Sequence, residues 1–183
     1  MDTILITGGA GFIGSTLANY LGKENKIVVV DDLSMGKKEN LDMEKQVTFI
    51  EGDVSDPQLM ERIMKQYQFA YIFHLAAVAS VADSVERPLE THRVNFDSAL
   101  LLLELVRKYQ SGLKRLVFSS SAAVYGDEPT LPKKEESVIR PLTPYAIDKF
   151  AAEQYVLDYC HLYDVPTSAV RFFNVYGPNQ NPN

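Results

Sequence analysis

Cysteine is nearly absent. Cys160 stands alone in 183 residues, so no disulfide can close within the chain and a cysteine-based metal cluster is excluded. Histidine is scarce too, and His74, His92 and His161 lack the close spacing of a ligand set, so no metal is expected. There is no basic excess: 18 Lys and Arg face 24 Asp and Glu, a net charge of −6, which argues against a nucleic-acid partner. Any anionic ligand must then be held by local devices such as helix amino ends rather than by a global field. The most apolar run, Ala99 to Val106, contains Glu104 and falls far short of the roughly 20 residues that cross a bilayer, so no membrane association is expected. Repeats, low-complexity stretches and Ser- or Pro-rich linkers are missing. Strand-like Ile4-Leu5-Ile6 follows the initiator almost at once, so no signal peptide is expected and the reading points to the cytoplasm.

What is present is ordinary globular composition, with 46% hydrophobic and 23% charged residues, and enough chain for one domain. Short apolar runs at Thr3–Thr7, Lys26–Val30, Val47–Glu51, Ala70–Leu75, Arg115–Ser119 and Thr167–Phe172 are rich in Val, Ile and Phe. They lack polar alternation, as strands covered on both faces do. Helical patterns separate them: Ile13, Leu17, Tyr20 and Leu21 up to Gly22, then Pro57 to about Gln66, about Pro88 to Tyr109, and Pro144 to Tyr163. Alternating strands and helices predict an α/β fold, a doubly wound parallel sheet of about six strands. In the helix near 88–109, Leu100 to Leu103 with Leu105 and Val106 leave almost no polar face, which predicts burial on two sides. Gly177 to Asn183 reads as loop with nothing after it to cover the last strand. The expectation is therefore a domain over 1–176 and the start of a truncated region over 177–183.

The chemistry begins at Thr7-Gly8-Gly9-Ala10-Gly11-Phe12-Ile13-Gly14, between the first strand and the first helix. Gly8, Gly11 and Gly14 carry a GxxGxxG variant of the dinucleotide fingerprint: a tight turn, backbone approach to a pyrophosphate, and close helix–strand contact. Asp31 ends the second strand, where a carboxylate accepts from both ribose hydroxyls of NAD and repels the 2′-phosphate of NADP. The plain structural alternative is a tight turn followed by a solvated Asp31-Asp32 pair. Asp53, after the third strand, is a candidate acceptor for the adenine amino group or, alternatively, a helper at the start of the helix opened by Pro57.

A second constellation lies further on. Thr143-Pro144 reads as a helix cap and first position, which puts Tyr145 and Lys149 one turn apart on one face, about 6 Å along the axis. A phenol is a poor base at neutral pH unless fixed cations favour its ionised form, and Lys149 is expected to do so. Ser119-Ser120-Ser121 ends the fifth strand at the same sheet edge, and Ser121 is placed to donate to a reacting oxygen. Taken singly, each has a bland reading: two exposed helix residues, and a serine-rich loop bonded to its own backbone. His74 reads as a hydrogen-bonded core histidine and Cys160 as inert packing.

Together with His74-Leu75-Ala76-Ala77, Ser119–Gly126, Tyr145–Lys149 and Arg171–Pro178, these residues resemble the extended short-chain dehydrogenase/reductase family, in particular its UDP-glucose 4-epimerase-like members, across essentially the whole chain. The resemblance implies a Rossmann fold whose carboxyl-terminal substrate domain is missing here, NAD as cofactor and a UDP-sugar as substrate. It implies Ser121, Tyr145 and Lys149 as catalytic residues. Implied cofactor contacts are Gly8, Gly11, Phe12, Ile13, Gly14, Asp31, Asp32, Asp53, Val54, Leu75, Ala76, Ala77, Asn95, Ser119, Tyr145, Lys149 and Phe172. Ser84, Ser121, Tyr125, Tyr145 and Asn174 are the implied substrate contacts. It also implies a homodimer through the helices near 88–109 and 144–163. Ala122 and Ala123 stand where the related dehydratases carry an Asp-Glu pair. That favours epimerisation at C4 over elimination of water, because neither methyl group can exchange a proton. Ala79, Phe172-Phe173 and Asn179 depart from common family residues and leave the sugar undefined.

Overall fold

The computed structural model describes residues 1–180; the expected loop residues Asn181, Pro182 and Asn183 lie outside the described residues. Six strands, β1 (Thr3–Thr7), β2 (Lys26–Asp31), β3 (Val47–Glu51), β4 (Tyr71–His74), β5 (Arg115–Ser121) and β6 (Thr167–Phe172), form one parallel sheet in the order β3-β2-β1-β4-β5-β6. Strand order reverses between β1 and β4. Their carboxyl ends, Thr7 and His74, are register partners, and a crevice opens there.

The absence of polar alternation is explained by two apolar layers. Leu5, Val28, Val30, Ile72 and Phe118 point into one, with Leu59, Met60 and Ile63 of α2 (Pro57–Gln66), Leu102 and Val106 of α5 (Ser98–Tyr109) and Val156 of α6 (Pro144–Tyr163). Ile4, Ile6, Ile27 and Val29 point into the other, covered by Ala18 of α1 (Phe12–Leu21). Adjacent strand residues thus bury opposite faces, and the centre of β2, Ile27 to Val30, is apolar throughout because both of its faces are covered.

Local chemistry sets the helix starts. Asp56 accepts from the Gln58 and Leu59 amides ahead of Pro57, and Thr143 accepts from the Ala146 amide ahead of Pro144. The twenty-residue α6 stops at Asp164, which adopts a left-handed conformation (φ 56°).

Two expectations are corrected. The helix over 88–109 is not uniform: α4 (Pro88–His92) runs into a wide π-type turn at Arg93–Asp97 before α5 begins. There the Ser98 amide bonds Arg93 C=O, and Asn95 turns its amide onto the Val78 backbone (2.8 and 3.1 Å), a tertiary bond that no periodicity announces. A short helix, α3 (Val81–Glu86), also stands where no element was expected; Ser80 starts it by accepting from the Asp83 amide. Leu102, Leu103, Leu105 and Val106 are buried as predicted, whereas Leu100 and Leu101 remain half-exposed.

Candidate active site

The crevice at the β1/β4 reversal is a cleft of about 630 Å³, within the usual size of small-molecule sites. Its floor is the glycine turn. Gly8 takes φ +69°, and a Cβ there would lie 2.7 Å from the Ala76 amide nitrogen. A Cβ on Gly14 would lie 2.2 Å from Gly8 C=O. Gly11 is different. A Cβ at that position would meet only Gly8 C=O at 3.4 Å, so the space it leaves belongs to the cleft and not to a neighbouring chain segment. No side chain caps α1 and no carboxylate stands in its first turn, so its amino end presents amides and a positive dipole end to the cleft. Those features are what a dinucleotide pyrophosphate requires, and the residues present fit it.

Asp31 is buried at the end of β2 and accepts from the Ala10 and Leu33 amides, both at 2.9 Å. Burial pushes its carboxyl up from the usual range, while these amides oppose the shift. A carboxylate offers about four acceptor positions, so acceptor capacity remains after the two amide bonds. Asp32 is exposed and accepts from the Ser34 amide and hydroxyl through one oxygen, Oδ1. Asp53 accepts from the Ser55 amide and hydroxyl and from the Arg93 guanidinium at 2.9 Å, and it is Asp56, not Asp53, that caps α2.

A neutral histidine braces the wall after β4. Ser98 Oγ donates to Val94 C=O at 2.5 Å, so it accepts from His74 Nε2–H at 3.3 Å. His74 Nδ1 then accepts from the Thr7 hydroxyl at 2.8 Å. Thr7 Oγ1 in turn accepts from the Leu75 and Ala76 amides (3.2 and 3.3 Å), which fixes the start of the loop along the cleft. Burial, with the Lys149 cation adding to it, pulls the His74 pKa down to about 3. As the sequence indicated, His74 is a bonded core residue.

On the opposite wall Ser121, Tyr145 and Lys149 converge, Ser121 from the end of β5 and the other two from the first turns of α6. Tyr145 lies beside Ser121, whose hydroxyl accepts from the Ala123 amide at 3.1 Å. Lys149 is almost fully buried, donates to Ser119 C=O at 2.9 Å and lies 5.0 Å from the centre of the Phe118 ring. Burial brings its pKa down to about 8, against an opposing pull from Asp148. Burial is the largest influence on Tyr145 and raises its pKa, Ser121 opposes it, and the ammonium is engaged by a carbonyl.

Of the other expected residues, Gly8, Gly11, Phe12, Ile13, Gly14, Leu75, Ala77, Ser119, Phe172 and Asn174 line the same cleft. Val54 lies in the core under β3 and α2. Asn95 is buried on Val78, and Ser84 is buried within α3, donating to Val81 C=O. Tyr125, in the turn Ala122–Tyr125, accepts at its hydroxyl oxygen from the Arg171 guanidinium at 2.8 Å. Ser120 and the family departures Ala79 and Phe173 also line the cleft, as do Val175 and Gln180, which no sequence signal marked. A further omission is Glu153, one turn beyond Lys149 and buried. An acidic residue continuing the Tyr145–Lys149 stripe inward was the available signal. Among the described residues no group of three or more His, Cys, Asp or Glu is arranged to hold a metal ion, and no helix is long and apolar enough to cross a membrane.

Comparison with known proteins agrees with this geometry. Residues 4–183 match the NAD dependent epimerase/dehydratase family. A UDP-glucose 4-epimerase of Mycolicibacterium smegmatis is 39% identical, with 97% of this chain and 58% of that protein covered. The UDP-N-acetylglucosamine 4-epimerase of Methanobrevibacter ruminantium, solved with UDP-N-acetylmuramic acid, superposes with a TM-score of 0.92 at 40% identity, covering 100% of this chain and 58% of that one. A Thermus thermophilus UDP-glucose 4-epimerase solved with NAD gives a TM-score of 0.89 at 38% identity, covering 99% and 58%. The chain thus spans somewhat over half the length of these relatives. With a glycine-floored crevice at the strand reversal, a serine–tyrosine–lysine wall and this similarity along its length, the chain belongs to the NAD dependent epimerase/dehydratase family.

Proposed function

We propose that this chain binds NAD across Gly8–Gly14 and serves the 4-epimerisation of a UDP-hexose of the UDP-glucose/UDP-galactose kind by transient oxidation at C4. The observation that carries the reading is the convergence of Ser121, Tyr145 and Lys149 on the cleft floored by Gly11. Bound NAD would supply reversible two-electron oxidation of a sugar carbinol.

The chain's own residues do the rest. The amino end of α1 and the glycine turn hold the pyrophosphate, and Asp31 takes the adenosine ribose hydroxyls and disfavours a 2′-phosphate. Tyr145 Oη takes the proton from the sugar hydroxyl and gives it back, while Ser121 donates to the same oxygen and holds the proton path. Lys149, which bonds Ser119 C=O in the chain alone, would hold the nicotinamide ribose, and its ammonium together with the positive charge of oxidised NAD would bring the phenol down into a useful range. The turn after Ser121 supports epimerisation over dehydration, since Ala122 and Ala123 bring no acid–base group.

Two further proposals follow the family. The protein is a cytoplasmic homodimer, its contact made by α4–α5 and α6, where Leu89, Ile147 and Tyr155 are exposed. A second reading, a coenzyme-binding module with little turnover of its own, is favoured by one observation: Phe173, which lines the cleft, and Tyr176 nearby in sequence stand exposed (60% and 89%).

Incubation with UDP-galactose, without added NAD, separates these readings. Formation of UDP-glucose with no net NADH is the expected result. Net NADH release would replace epimerisation by dehydrogenation, and neither product in a protein that binds NAD would leave the module reading.

A further inference from the structure

Three consecutive serines end β5, and α6 engages all three. Tyr145 lies beside Ser121, Lys149 bonds Ser119 C=O, and Glu153 accepts from Ser120 Oγ at 2.5 Å. These helix residues are spaced one turn apart, so they form a single stripe facing the strand. Two of the three contacts must change during the proposed reaction, because Tyr145 and Lys149 have to turn to sugar and coenzyme. The third does not. Glu153 is 2% exposed, and both its oxygens are filled: Arg171 of β6 donates from Nε at 3.0 and 3.2 Å and from Nη2 at 2.5 Å, alongside Ser120. Arg171 Nη1 reaches on to Tyr125 Oη (2.8 Å) and Glu135 C=O (2.9 Å), so the pair ties α6, β5, β6 and the segment after Tyr125 together.

From this geometry we infer that Glu153, locked by Arg171, is a positioning residue: it fixes α6 against the serine end of β5 so that Tyr145 and Lys149 stay in register with Ser121 and Ser119 as they exchange partners. A buried ion pair is a costly way to join two elements, since well-packed apolar side chains of similar volume hold as well or better. What carboxylate and guanidinium add is direction. A bidentate fork sets both the distance and the rotation of α6, and an apolar contact fixes neither. The inference rests on the proposed reaction for its purpose, but not for its test.

The experiment uses the protein labelled with [13Cζ]-tyrosine, its Tyr145 line assigned by Tyr145→Phe, and Ser121→Ala as the variant that must move that line. Ser120→Ala removes one hydroxyl and no charge. Glu153→Gln leaves Arg171 without its counter-charge, and if that protein does not fold, Ser120→Ala decides. The Tyr145 line is expected to shift in Ser120→Ala, with calorimetric NAD affinity kept within about twofold, as losing one hydrogen bond away from the coenzyme floor implies. In assays of UDP-galactose turnover the same variant should lower kcat about fivefold and leave KM nearly unchanged, the pattern of a group that acts on the transition state only. A Tyr145 line that stays in place in every folded variant, while Ser121→Ala moves it, overturns the inference. That result is readable even in a protein that turns over no sugar, so failure of the positioning role and failure of the epimerase reading remain distinct.

Discussion

At the residue scale the proposed catalytic groups sit in environments that stability alone would not choose. Lys149 is charged at neutral pH although burial has brought its pKa down to about 8 from an ordinary 10.5. The folded state therefore bears the cost of a desolvated ammonium below pH 8, and the cost fades as pH rises toward the unfolded value, where both states lose the proton. Lys149→Met should accordingly stabilise the protein by about 1–3 kcal/mol at pH 7 in a denaturant titration, even after the lost bond to Ser119 C=O, while abolishing turnover. A variant less stable at pH 7 than the parent would show that the lysine is a structural prop. Tyr145→Phe should leave NAD affinity nearly unchanged and reduce turnover by at least about a hundredfold, the usual worth of a positioned acid–base group. At this scale the sequence was legible where chemistry has a spacing. Tyr145, Lys149 and the glycines declared themselves by pattern, but the partners of Glu153 and Asn95 did not, because Arg171 and Val78 are brought to them only by the sheet.

Elements translate those side chains into a site. α6 carries Tyr145 and Lys149 in its first turns, so its amino end has to be well formed, and Thr143 with Pro144 supplies that. Thr143→Ala should cost about 1 kcal/mol, a fall of about 2–4 °C in the thermal midpoint for a chain of this size. Loss of the cap with no change in midpoint would mean that packing alone orders the turn. The loop after β4 depends on the Thr7–His74–Ser98 chain, and this brings a pH dependence. His74 has a pKa of about 3 when folded and 6.5 when unfolded, so its contribution is intact above pH 6.5 and is lost as pH falls from there toward 3, because only the unfolded chain takes up the proton. Stability should fall by up to about 1.4 kcal/mol per pH unit across that window from this residue, and His74→Gln should flatten the slope in melts between pH 7 and 5. An unchanged slope would assign the acid sensitivity elsewhere. The six strands and the long helices were legible because apolar runs and caps are local; α3 was not, since six residues behind the Ser80 cap are too short to show a period, and the turn at Arg93–Asp97 was not, since Asn95 bonds across to Val78.

For the whole molecule, the parallel sheet determines where everything else must lie: the strand reversal between β1 and β4 opens the crevice, and loops from both halves line it. Outside the crevice, apolar residues left exposed on α4 and α6, among them Leu89, Ile147 and Tyr155, mark the proposed subunit contact. Sedimentation at micromolar concentration should give twice the chain mass of 20.5 kDa, and Tyr155→Glu should return it to one; a monomeric parent would remove the dimer. The most direct measurement is a crystal structure of the protein grown with NAD. The pyrophosphate is expected over Gly11 at the amino end of α1, and the nicotinamide C4 within reacting reach of a carbinol bonded to Tyr145, about 3–3.5 Å between reacting atoms. A coenzyme bound elsewhere, or a nicotinamide turned away from Tyr145 and Lys149, would contradict the proposed function.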